Sequence, residues 1–139
     1  MKKILLTIFT FFAVSSVIAI ENNFLSSLQN CTPYTEQGEV ETDGMHVKSI
    51  KQIAGKEADR CVYKENINFS GINTTLTCKF TQSQIKEITS VMNAYSLLQQ
   101  YSGDNIDTSS VSNVQNNPVV KVWNKYIQDT STCNFSGIN

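Results

Sequence analysis

Four cysteines, one histidine and a short acidic run are the residues of this 139-residue chain with the types to do chemistry. Cys31, Cys61, Cys78 and Cys133 are even in number and spaced by 30, 17 and 55 residues, with no C-x-x-C pair and no neighbouring histidine to complete a zinc site. The expectation is two disulfides, which leave no thiol for catalysis. His46 is the one histidine, and nucleophilic catalysis would need it to meet a nucleophile and an orienting group in space, with Glu41 as its nearest candidate partner. A lone histidine on the polar side of a strand is ordinarily a surface residue. Glu36, Glu39, Glu41 and Asp43 could supply paired carboxylates for glycoside cleavage, a reading that depends on their separation in space. Glu39, Glu41 and Asp43 alternate, which fits an edge strand guarded by charge better than a cation site. Asp104, Asn105 and Asp107 resemble a fragment of a calcium loop without its glycine and closing glutamate. No metal or cofactor is expected.

The chain opens MKKILLTIFTFFAVSSVIAI, with Lys2 and Lys3 before an apolar run and small residues at Val17, Ile18 and Ala19. This pattern predicts a signal peptide over residues 1–19. The run is short and broken by Thr7, Thr10, Ser15 and Ser16, so no stable membrane span is expected after cleavage. Removing Lys2 and Lys3 lowers the basic residues from eleven to nine against twelve acidic, a net charge of minus three. A mildly acidic chain with no Lys/Arg cluster lacks the footprint of a nucleic-acid binder. Its size fits one domain, taken as residues 20–133 with a tail at 134–139.

The elements that must hold these residues follow from periodicity. Phe24, Leu25 and Leu28 share a helical face that leads into Cys31 before Pro33. Asp43-Gly44 suits a two-residue type I′ turn, which pairs Thr42 with Met45, Glu41 with His46, Val40 with Val47 and Glu39 with Lys48. Apolar partners then meet on one face and opposite charges on the other. A second turn is expected at Ala54–Glu57, with a bulge nearby, returning the chain into Arg60–Glu65. Placing Cys61 opposite Cys78 puts Tyr63, Leu76 and Phe80 on one face and leaves residues 66–73 as the loop. That register predicts Cys61–Cys78 and, by elimination, Cys31–Cys133. After Phe80 the period becomes 3.6, opened by a Thr81/Gln84 capping box and continued by Ile85, Ile88, Val91, Met92, Tyr95, Leu98 and Tyr101 up to Gly103. Asp104–Asn116 is polar and aperiodic, and Asn117-Pro118 starts a last helix carrying Val119, Val120, Val122, Trp123, Tyr126 and Ile127. The expected fold is α+β, an antiparallel four-stranded meander packed against helices.

The hexapeptide NFSGIN occurs twice, at Asn68–Asn73 and at Asn134–Asn139. The flanks of the copies differ, so no larger unit is duplicated. The first copy is expected at a hairpin tip with Ser70-Gly71 as the turn. The preferred reading of the repeat is a sequence accident in a chain rich in Asn, Ser and Ile; the rival is that Phe135 and Ile138 imitate Phe69 and Ile72, so that tail and hairpin tip compete for one binding groove.

CTPY at Cys31–Tyr34, IAGKEADRCVY at Ile53–Tyr63 and CKFTQSQ at Cys78–Gln84 resemble small exported bacterial proteins of uncharacterised function. The resemblance implies a signal peptide followed by a cysteine-stapled domain, and it implies no activity. The expected function is a periplasmic or secreted, non-catalytic binding or inhibitor-like module facing another exported or envelope protein. Its contact residues would be Phe69, Ser70, Gly71 and Ile72 at the hairpin tip, with Asp104 and Asp107 in the polar loop. The competing readings are a small hydrolase using His46 and Glu41, and a structural component of the envelope.

Overall fold

The computed structural model describes residues 22–42, 44–102 and 116–137. The element order is α1 (Asn22–Asn30), β1 (Tyr34–Thr42), β2 (Met45–Glu57), β3 (Arg60–Phe69), β4 (Ile72–Phe80), α2 (Gln82–Ser102), α3 (Pro118–Ile127) and β5 (Cys133–Ser136). The strands form one antiparallel sheet in the order β1-β2-β3-β4-β5, an α+β arrangement with one strand more than expected. The added strand holds three of the six residues expected as a tail, Asn134, Phe135 and Ser136. Leu76 lies across from Phe135 and Cys78 across from Cys133.

One sheet face is buried and the other is open. Along β2 burial alternates residue by residue from Val47 to Ile53. The buried face continues through Cys61, Tyr63, Glu65 and Ile67 on β3 and Thr74, Leu76, Cys78 and Phe80 on β4. All three described helices cover it. Phe24, Leu25 and Leu28 come from α1, Ile85, Ile88 and Met92 from α2, and Val119, Val120, Val122, Trp123, Tyr126 and Ile127 from α3. Trp123 sits 5.3 Å from Tyr63 and 5.8 Å, edge-on, from Phe80, ring centroid to ring centroid. Side chains buried to this degree stabilise by roughly 1.5–3 kcal/mol each before the entropy cost of ordering them.

The helix ends are closed by local chemistry. At α2 the Thr81 amide donates to Gln84 Oε1 at 2.9 Å, and the Gln84 amide donates to Thr81 Oγ1 at 3.3 Å. Asn117 Oδ1 accepts from the Val119 amide at 2.9 Å, with Pro118 in the first turn of α3. Helix α1 ends in a Schellman motif, in which Thr32 N donates to Ser27 O at 2.9 Å and Cys31 N to Leu28 O at 3.3 Å. The residue at the left-handed position is Cys31, φ 51°, where glycine is usual.

The Asp43-Gly44 hairpin has the expected pairing from Thr42/Met45 to Glu39/Lys48, and it runs on to Tyr34/Ile53. The second turn departs from expectation. Strand β2 continues through Ala54–Glu57, and the chain reverses at Ala58 and Asp59, with Ala58 at φ 56°. Gly55, at φ +103°, instead absorbs the register shift between Ile53 and Gly55, which is the bulge.

The β3–β4 register is also shifted, by two residues. Cys61 faces Phe80 and Tyr63 faces Cys78, because the loop is the two residues Ser70 and Gly71 rather than the span 66–73. Their φ values of 48° and 87° meet the demand of a type I′ turn for two positive angles. A shift of two leaves every side chain on its expected face, since the strand period is two. Cys61 and Cys78 are consequently not opposite one another. The disulfides are Cys31–Cys61 and Cys78–Cys133, which corrects the expected Cys61–Cys78 and Cys31–Cys133. The first ties the end of α1 to β3, and the second joins directly opposed residues of β4 and β5.

A methyl group at Gly71 would meet no neighbouring atom within 4 Å, so Gly71→Ala tests backbone conformation alone. It is expected to cost about 1 kcal/mol, the penalty of a left-handed conformation for a residue with a Cβ. Chemical denaturation of the variant beside wild type measures it, and an unchanged midpoint would contradict the turn geometry.

Candidate functional site

The sheet has two unlike ends. One carries the Ala58-Asp59 turn together with both disulfides and the Cys61/Phe80 pair. The other gathers the tips. The Ser70 amide donates to His46 O at 3.4 Å, which sets the β3–β4 turn beside the start of β2. Thr74 Oγ1 donates to Ser136 O at 3.1 Å, and a Cβ at Gly137 would lie 3.5 Å from Asn73 O. Both copies of NFSGIN therefore border the beginning of β4.

The hexapeptide suits these places for a local reason. In the first copy Asn68 and Asn73 are cross-strand partners, and Asn68 Nδ2 donates to Asn73 Oδ1 at 2.8 Å while the Gly71 amide donates to Asn68 Oδ1 at 3.3 Å. The terminal asparagines thus brace the turn between them. Phe69 is on the buried face against the core, and Ile72 is 44% exposed at the tip. In the second copy Asn134 is exposed, Phe135 packs on the core and Gly137 has φ 80°. The same alternation, phenylalanine inward with a glycine of positive φ two residues on, serves a turn once and a strand end once.

Of the residues expected to bind, Phe69, Ser70, Gly71 and Ile72 lie together at the tip, with Phe69 committed mainly to the core. Asp104 and Asp107 lie outside the described residues, as do Asp43, Gly103 and Ile138. His46 is near the same tip on the open face, where its Nε2 bonds Glu39 rather than the expected Glu41. Glu39 is the diagonal neighbour of His46, and it also lies 3.7 Å from Lys48 Nζ. All three side chains are about half exposed, which matches a surface charge cluster. Strand β1 is at the sheet edge, as its alternating acids imply. No cysteine is free, and no group of three metal-ligating side chains occurs among the described residues.

The buried face also carries charge. Glu36, Lys51 and Glu65 stand directly across from one another on β1, β2 and β3. Lys51 is 4% and Glu65 2% exposed. Lys51 Nζ is 3.9 Å from Glu36 Oε1 and 5.9 Å from the centre of the Phe24 ring. Tyr63 donates its hydroxyl to Glu65 Oε2 at 2.7 Å, and Tyr34 donates to Glu36 Oε2 at 3.4 Å. Burial pushes the Glu65 carboxyl up to about 7, against the opposing pull of Lys51 and the Tyr63 hydroxyl. The same burial, with Glu65 beside it, raises the Tyr63 phenol well above its usual range. The sequence reading missed this row, although the Asp43-Gly44 register carried three pairs beyond Glu39/Lys48 places Glu36 opposite Lys51 on the side of Val40 and Val47.

A third cluster is structural. Glu87 on α2 receives Lys125 Nζ at 2.9 Å and the Tyr126 hydroxyl, both from α3. The two contacts hold the Glu87 carboxyl below its usual range and clip the helices together. Comparison with known proteins finds no matching family model, no matching curated protein and no matching solved structure.

Proposed function

We propose that the protein is an exported, non-catalytic binding module, inhibitor-like in design, that presents the tip end of its sheet to another exported or envelope protein. The observation that carries this reading is the convergence of the Ser70-Gly71 turn, the exposed Ile72 and the Ser136-Gly137 strand end on one margin, opposite the margin that both disulfides hold. Turns whose backbone is set by positive φ angles and side-chain braces lose little entropy on binding, which favours recognition from a rigid scaffold. Two disulfides accord with an oxidising compartment, periplasmic or extracellular, and with the leader pattern of residues 1–19. No described helix is long and apolar enough to cross a membrane. The bonding of His46 to Glu39, on an exposed strand and away from Glu41, supports a binding role over a hydrolase built on His46.

The test uses immobilised protein and the exported fraction of the host culture. Wild type is expected to retain a protein that Asp59→Lys, altered at the far turn, also retains, while Ile72→Asp reduces its capture at least tenfold. Equal capture by all three proteins would refute a tip-end surface. Hydrolytic activity abolished by His46→Ala would move the function to the enzyme class.

A further inference from the structure

We propose that Lys51 and Glu36 condense to a side-chain amide, an autocatalytic cross-link from β2 to the edge strand β1, with Glu65 relaying the proton. The row Glu36, Lys51, Glu65 crosses three adjacent strands on the buried face, so the amine has a carboxyl on each side. Phe24, Tyr34 and Tyr63 stand around it. The side chains of Lys51 and Glu36 are 5% and 16% exposed, and their nitrogen and oxygen are 3.9 Å apart.

The surroundings set this pair apart from the lysine–glutamate pairs between exposed side chains among the described residues. Lys79–Glu57 and Lys125–Glu87 are closer, at 2.9 Å, but their side chains are between 42% and 65% exposed. Water keeps such groups ionised, and an ammonium has no lone pair with which to attack. Lys51 and Glu36 are instead shielded from that water by Phe24 and Tyr34 and held side by side. Transfer of a proton from the Lys51 ammonium to the Glu36 carboxylate yields the neutral amine and neutral acid that amide formation requires. Positioned reactants also avoid the entropy cost of an encounter.

The step balances without any co-reactant. Lys51 Nζ attacks Glu36 Cδ and forms the C–N bond, while the Tyr34 hydroxyl, already directed at Glu36 Oε2, donates to the developing oxyanion. Glu65 gives its proton to the departing hydroxyl and recovers one from the nitrogen. The C–O bond breaks and one water leaves. The Glu65 carboxyl, raised by burial to about 7, both holds and releases a proton near neutrality, as this relay needs. The product would lock β1, which among the described strands pairs with β2 alone, to the rest of the sheet.

Intact mass spectrometry of the full protein, purified without reductant and with its N-terminus determined, tests the proposal. The expected mass is one water below that of the chain with two disulfides, and digestion yields a branched peptide joining the segments around Glu36 and Lys51. Lys51→Arg should restore the lost water. Glu36→Gln should lose ammonia instead of water and arrive at the wild-type mass, because the amide formed is the same. Glu65→Gln should leave the folded protein without the cross-link or form it many times more slowly. A wild-type mass with no water lost after prolonged incubation overturns the proposal whatever the variants do. So does a loss that persists in Lys51→Arg or maps to another segment.

Discussion

Replacing Cys78 and Cys133 together by serine is expected to lower the unfolding free energy by about 4 kcal/mol, the chain-entropy value for a loop of this length. The bridge spans 55 residues and joins residues that already face each other across β4 and β5. Its loss therefore frees the unfolded chain more than it disturbs the native backbone. Strand β5 has only four register partners, and Cys133 and Phe135 are its inward residues, so it should be the first element to exchange its amides in the variant. Denaturant unfolding under non-reducing conditions reads the energy, and hydrogen exchange reads the place. A loss below about 1 kcal/mol, or uniform loosening of the sheet, would contradict the assignment of this bridge as the clamp on β5. A peptide map showing Cys61 joined to Cys78 would dispose of it more directly.

The second large effect depends on pH. The Glu65 carboxyl is raised in the folded protein from an ordinary 4.5 to about 7, so the native state binds its proton more tightly than the unfolded chain does. Its stabilising contribution is accordingly complete below pH 4.5 and is lost as pH climbs through about 7. Over that interval the loss amounts to about 3 kcal/mol. Glu57, Glu87 and Asp129 are held below their usual values by hydrogen bonds and neighbouring lysines, and they act in the opposite sense, weakening the fold as pH falls. The Glu65→Gln variant removes the titrating group while its amide oxygen can still accept from the Tyr63 hydroxyl, and a comparison of slopes sets aside the constant difference that a missing β1–β2 cross-link would add. The quantity to compare is the slope of unfolding free energy against pH. Wild type should decline between pH 4.5 and 7 relative to the variant, and parallel curves would mean that Glu65 is not held protonated by burial.

Local chemistry was legible from residue types and spacing. The Asp43-Gly44 dipeptide specifies a turn of positive φ, and with it the register of β1 against β2 through Glu39/Lys48 and, by extension, Glu36/Lys51. Thr81 with Gln84 and Asn117 with Pro118 specify where α2 and α3 begin, because each cap is satisfied by atoms within three residues. Which faces are buried also followed from period, and it survived the two-residue error in the β3–β4 register because an even shift preserves the face.

What lay beyond the sequence is what depends on contacts between distant segments. Turn length decided whether Cys61 met Cys78, and a two-residue turn at Ser70-Gly71 moved them apart. Cys61 then met Cys31 at the end of α1, whose Schellman motif holds that cysteine in a left-handed conformation. Asn134–Ser136 of the last NFSGIN became strand because β4 offered a free edge and the buried face had room for Phe135, neither of which is encoded within the hexapeptide. The same holds for the inner row of charges. Glu36 across from Lys51 was implicit in the Asp43-Gly44 register, but only the pairing of β3 brought Glu65 alongside and only the helices shielded that face from water, which gives two carboxyls and an amine a chemistry they lack at a surface.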